Sequence, residues 1–196
     1  MTSFAYDLRY LTAGSEALES YLLSKDVYWP ISIRRRSGEP GYPQLSLGGL
    51  LLAERRAGAR ANSAAEKAEL DSISRKIYQV GGTWRVAWEN KAALELGVRL
   101  NQWTRYLADY RSGPSEHYDQ YPYEVFRRVA IELLVAHASD RSAFNQEALK
   151  ALDFQLKAFL VPGEFIWKED LQAAFPPTAF WYLYGRLPQR FSGSGE

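Results

Sequence analysis

Six arginines crowd one short reach of the chain. Arg34, Arg35, Arg36, Arg55, Arg56 and Arg60 stand between residues 27 and 62 against only Glu39 and Glu54, a local excess of +4 in a chain of net charge +1. A guanidinium presents planar, forked donors that match phosphate and carboxylate oxygens. Tyr28, Trp29 and Tyr42 flank the arginines and supply rings on which bases can stack. A helix starting at Leu47-Gly48-Gly49 adds bare amides suited to an anion. The six arginines are therefore the candidate contacts to an anion or a nucleic acid. The competing account is a solvated loop followed by helix-terminal arginines, because the excess falls short of the basic stripe expected of a strong nucleic-acid binder.

A second constellation repeats at helical spacing. Arg85 and Glu89, Lys91 and Glu95, Glu95 and Arg99, Asn101 and Arg105, and Arg105 and Asp109 are all i,i+4. Such exposed pairs stabilise a helix by only about 0.2–0.5 kcal/mol each. Trp84, Trp88, Gln102, Trp103 and Tyr106 accompany them. Trp84, Trp88, Lys91, Glu95 and Arg99 thus form a candidate cleft, a polar strip framed by indoles. The alternative is that the rings pack under neighbouring helices and the ion pairs decorate an outer face. Lys91 falls on the apolar stripe, so it is either buried and paired or reaching out to water. Burial would lower its pKa and make the amine reactive.

Other chemistry is thin. There are no cysteines and only two histidines, which excludes disulfide frameworks, thiol nucleophiles and zinc ribbons. His117 lies between Glu116 and Asp119 in a polar loop, and His137 stands three residues before Asp140 at a helix end, where the helix dipole favours an imidazolium. No nucleophile elbow and no phosphate-binding glycine loop occurs. The reading assigns no catalytic residue, metal or cofactor. The stretch Phe175 to Tyr184 is aromatic at nearly every position, so it must bury most of its rings. Phe180, Trp181 and Tyr184 are the candidates for an interface with a partner or a second copy.

The elements that carry these residues read as helices throughout. Apolar spacing predicts a helix over 6–24 interrupted at Gly14-Ser15, then a loop over 34–43 rich in Gly and Pro. Ser46 is a plausible cap for the next helix, which Gly48 and Gly49 weaken. From Ala64 to Arg111 no proline occurs, and Leu70, Ile73, Ile77, Val80, Trp84, Ala87, Lys91, Leu94 and Val98 step by three or four. This heptad-like stripe predicts one long helix of about 70 Å, kinked or broken at Gly81-Gly82. Further helices are expected over 123–138, 143–160, 168–175 and 178–186. The only strand candidate is Tyr28 to Ile33. The fold class is all-α: an irregular bundle of six or seven helices around the long helix at 64–111. Residues 1–190 form a single helical domain, and the small polar residues 191–196 form a flexible tail.

Composition agrees with a folded, non-membrane chain. The sequence is 46% hydrophobic, 14% aromatic and 24% charged, ordinary for a globular domain except for the surplus of rings. No leader-like N-terminus and no run of 18 apolar residues is visible, so the expectation is a cytoplasmic protein without a membrane contact. The first functional expectation is a non-enzymatic structural or interaction protein, using the long helix and aromatic surfaces for self-association, as a dimer, or for a protein partner. The alternatives are a nucleic-acid accessory protein acting through the arginines, and a small-molecule enzyme or binder with an inter-helical cleft.

Overall fold

The computed structural model describes residues 3–138 and 145–190. Ser3 accepts a hydrogen bond from the Tyr6 amide and opens α1 (Phe4–Leu23). The expected interruption at Gly14-Ser15 is absent, and α1 runs through it. Gly14 is buried where α2 crosses α1, and a Cβ there would lie 2.6 Å from Leu50 Cδ2. The glycine marks a close helix approach, not a break.

Ser46 caps α2 (Leu47–Arg60) by accepting from the Gly49 amide at 3.1 Å. Ser63 and Glu66 form a capping box at the start of α3 (Ala64–Thr83), which satisfies two amides that helix starts otherwise leave bare. The predicted long helix is two helices. Trp84, at φ −108° and ψ 42°, ends α3 and starts α4 (Arg85–Ser112). The break lies two residues past the Gly81-Gly82 pair. Its physical reason is packing: α3 rests mainly on α1, whereas α4 rests mainly on α7, and no straight rod serves both. The heptad-like stripe is buried on α3 at Leu70, Ile73 and Ile77 but runs out of the core on α4, where Leu94 is 47% exposed.

The remaining elements are shorter. Pro114 starts α5 (Pro114–His117), followed by a 3₁₀ turn at 118–120, α6 (Tyr121–Glu124) and α7 (Phe126–Val135). Asn145 caps α8 (Gln146–Phe159). The two C-terminal helices expected at 168–175 and 178–186 are largely replaced. Strand β1 (Val161–Phe165), a 3₁₀ turn at 169–174, α9 (Pro177–Phe180), a second 3₁₀ turn at 181–183 and strand β2 (Tyr184–Arg186) occupy that region. The strands pair antiparallel, Val161 with Arg186, Pro162 with Gly185 and Phe165 with Tyr184. Residues 28–33 form no strand beyond one bridge, Trp29 to Leu45.

The all-α reading holds: six helices of ten or more residues carry the fold, and three four-residue helices join them among the described residues. Helix α4 lies along α7, and α2 crosses α1, α4 and α7. Their buried side chains form one contiguous apolar cluster. No described helix is long and apolar enough to cross a membrane. Residues 191–196, expected as a tail, and Asp140, the expected partner of His137, lie outside the described residues.

His137 sits just past α7 with its ring 5.8 Å from the Trp88 ring. Burial lowers its pKa from the ordinary 6.5, against an opposing pull from Glu54. Desolvation therefore outweighs the helix-end dipole that the sequence suggested. A histidine held neutral contributes stability above its unfolded pKa and loses it as pH falls through the folded value. Stability to denaturant should thus drop on acidification below about pH 6.5, and His137→Gln should flatten part of that dependence. Urea unfolding followed between about pH 7.5 and 5.5 checks the difference.

Candidate ligand-binding cleft

The six arginines do not converge. Arg34, Arg35 and Arg36 are exposed on the loop before α2. The other three turn inward as clamps. Arg56 Nε donates to Asp7 Oδ1 at 3.1 Å, and Arg60 Nη1 donates to Asp7 Oδ2 at 3.1 Å. Arg60 Nε also reaches Asp170 Oδ2 at 2.8 Å. Asp7 is fully buried on α1, and burial pushes its carboxyl up against the pull of both arginines. Arg55 Nε donates to the Ala174 carbonyl at 2.6 Å and lies over the Phe175 and Phe180 rings. These three arginines fasten α1 and residues 169–180 onto α2.

The cleft predicted along α4 is dispersed as well. Trp84 is half-buried at the helix break, and Trp88 is buried against Tyr78 and His137. Lys91 is 4% exposed. Its Nζ donates to the carbonyls of Ser24 and Asp26, each at 2.8 Å, and lies 4.7 Å from the Tyr21 ring centre. It thereby supplies donors to the C-terminal end of α1, where carbonyls lack partners. Burial lowers its pKa, yet its ammonium is already engaged with fixed acceptors. The aromatic C-terminal stretch is likewise inside: Phe180 is buried, while Trp181 and Tyr184 are half-buried.

Glu95 and Arg99 are brought together in the core. Glu95 Oε2 accepts from the Gly48 amide at 3.0 Å, in the first turn of α2. Its Oε1 accepts from Arg99 Nε at 3.1 Å and Nη2 at 3.0 Å, and Arg99 Nη2 also donates to Ser46 Oγ at 3.2 Å. A Cβ on Gly48 would lie 2.8 Å from Glu95 Oε1. Gly48 is therefore what lets the carboxylate reach the helix start. The Arg99 guanidinium lies over the Tyr28 and Phe126 rings, 5.2 and 4.7 Å from their centres.

Two hollows open beside this pair. The larger, about 670 Å³, is walled by Leu52, Phe126, Ile166, Trp167 and Leu171, with Tyr123 on its lip. The Trp167 indole N–H donates to the Pro122 carbonyl at 2.9 Å, which ties the two walls together. The smaller, about 390 Å³, is polar and lined by Tyr28, Gln44, Ser46, Arg99, Gln102 and Arg127. Pro43, Tyr123 and Phe126 are common to both, so the hollows adjoin. Helix α1 holds the loop at their edge: Tyr6 Oη donates to Gly41 O at 2.9 Å, Tyr10 Oη to Gln44 O at 3.0 Å, and Arg9 Nε to Tyr42 Oη at 2.9 Å. A third polar hollow continues along α4 past Gln102 and Arg127 to His117.

Of the predicted residues, Arg99 lines the polar hollow, and Arg56 and Arg60 form part of the apolar one. Tyr123, Phe126, Arg127, Ile166 and Trp167 escaped sequence reasoning. Among the described residues no group of three metal-binding side chains gathers. Removing the Glu95 carboxylate leaves Arg99 buried without its anion, so Glu95→Ala should cost about 3–5 kcal/mol of stability. Equilibrium denaturation checks it. The chain matches no family model, no curated protein and no solved structure.

Proposed function

We propose that this protein binds a small organic molecule with an aromatic or branched aliphatic body, seated in the ring-walled cleft. The cleft itself carries this reading. Its volume of about 670 Å³ falls in the range of sites that enclose small molecules. Its walls are fixed by the Trp167–Pro122 hydrogen bond and by α1's hold on the loop. Tyr123 is 80% exposed at its lip, a large ring with apolar surface to offer an occupant. The reading shares its class with the third sequence expectation, an enzyme or binder, but at a cleft that includes none of Trp84, Trp88, Lys91, Glu95 or Arg99.

Tyr123→Ala should leave stability within about 0.5 kcal/mol, as for an exposed side chain. It should weaken binding of a naphthalene-bearing probe about tenfold, or 1.4 kcal/mol. Ile166→Trp should block the probe by filling the cleft. Saturation-transfer NMR and titration measure both. Unchanged probe affinity in both variants overturns the reading.

A second reading, self-association, is favoured by a different observation. Phe154 is 79% exposed on α8, and Ala151 and Ala158 are exposed one turn to either side of it. A second copy of the chain burying this row would place the predicted dimer contact on α8 instead of on Phe180, Trp181 and Tyr184. Light scattering over a concentration series should then show a dimer that Phe154→Ser converts to monomer. A concentration-independent monomer rejects it. The nucleic-acid alternative retains only Arg34, Arg35 and Arg36 as exposed members of its set.

A further inference from the structure

The polar hollow holds two guanidiniums, and one of them is unfinished. Arg99 has a side-chain exposure of 8%. Its Nε and Nη2 are spent on Glu95 and Ser46. Its Nη1 makes no hydrogen bond to any described residue, while the side chain lines the hollow. The Tyr28 and Phe126 rings lie 5.2 and 4.7 Å from the guanidinium carbon, and Nη1 is the donor left for an occupant. Arg127 lines the same hollow and pairs with Glu124 three residues earlier. Arg127 also feels the Arg99 charge, which together with burial lowers its pKa. Glu95 and Glu124 each balance one of these guanidiniums, and Glu124 itself lines the hollow, so an anion enters by taking the place of Glu124 on Arg127.

We propose that the polar hollow is a carboxylate subsite, and that the molecule in the adjoining apolar cleft is therefore an organic carboxylate. The inference rests on the cleft being a ligand site. The carboxylate accepts from Arg99 Nη1 and displaces Glu124 from Arg127. Charge balance selects the class: Glu95 stays on Arg99, so releasing Glu124 leaves one uncompensated positive charge, which matches a monoanion. A carboxylate is also planar and suits one guanidinium edge. The apolar body lies across Phe126 and Tyr123, two of the three residues common to both hollows.

The test compares 2-naphthoate with its neutral isostere 2-naphthamide, by titration calorimetry and ligand-observed NMR. The wild-type chain should bind naphthoate about tenfold more tightly than naphthamide, the effect of one added charge-assisted hydrogen bond. Arg127→Gln should remove that advantage. Glu124→Gln should increase it, because Arg127 no longer has an internal competitor. The readout is the ratio of naphthoate to naphthamide affinity within each variant, which a general loosening of the cleft leaves unaltered. Both residues lie at the rim with part of each side chain in water, and circular dichroism confirms that the variants are folded. Equal affinity for the two probes, or naphthoate binding that ignores both substitutions, overturns the carboxylate subsite while the cleft stands. Binding of neither probe overturns the subsite and the cleft together.

Discussion

A carboxylate with no exposure to water must find donors for both oxygens, and Glu95 finds them on two different helices. One oxygen takes the Gly48 amide at the start of α2 and the other takes Arg99 one turn along α4. The positive end of the α2 dipole and its bare amides favour an anion there. The approach is possible only because residue 48 has no Cβ. Glu95 thereby sets where α2 crosses α4, and with it the position of α7, which packs against both. Arg99, beside the Tyr28 and Phe126 rings, inherits its orientation from this contact and lines the polar hollow.

The same device recurs at the other joints. Asp7 binds α1 to α2 through Arg56 and Arg60, and Arg60 extends the link to Asp170. Arg128, buried on α7, holds both oxygens of Asp153 on α8 and lies over the Tyr182 ring. Buried charge adds little net stability compared with apolar packing, but losing one partner is costly. These joints thus act on geometry more than on stability. They align an irregular set of helices whose apolar faces alone would tolerate several crossings. The two hollows draw on different joints: α2 faces the 166–171 segment across the apolar one, α4 faces the loop before α2 across the polar one, and α6 and α7 line both.

Much of the helical content was legible from spacing and caps. Ser46 caps α2 as the sequence suggests, because capping is a local interaction that depends on a few neighbouring residues; the caps at Ser63 and Asn145 were not anticipated. The stripe through Leu70, Ile73 and Ile77 does face the core. Gly14 was misread as an interruption because a glycine in a helix pattern signals either a weak point or a close approach, and only the neighbour distinguishes them. The C-terminal rings were misread as a helix because continuous aromatic runs suit buried helix and buried strand alike.

The sequence by itself determined that the chain is helical, without cysteine chemistry, and rich in rings that must be buried. These properties follow from composition and from contacts within a few residues. Only the tertiary structure decided which charges meet. Arg56 and Asp7 are far apart in sequence, as are Lys91 and the Ser24 carbonyl, and Glu95 and Gly48. Side-chain spacing along α4 paired Lys91 with Glu95, but a lysine able to reach the unsatisfied carbonyls at the end of α1 goes there instead. Whether an arginine is a contact or a clamp depends on which acid lies across the interface, and that is fixed by helix crossings that no local pattern encodes. For the same reason the clefts were invisible in the sequence: their walls come from segments that only folding brings side by side.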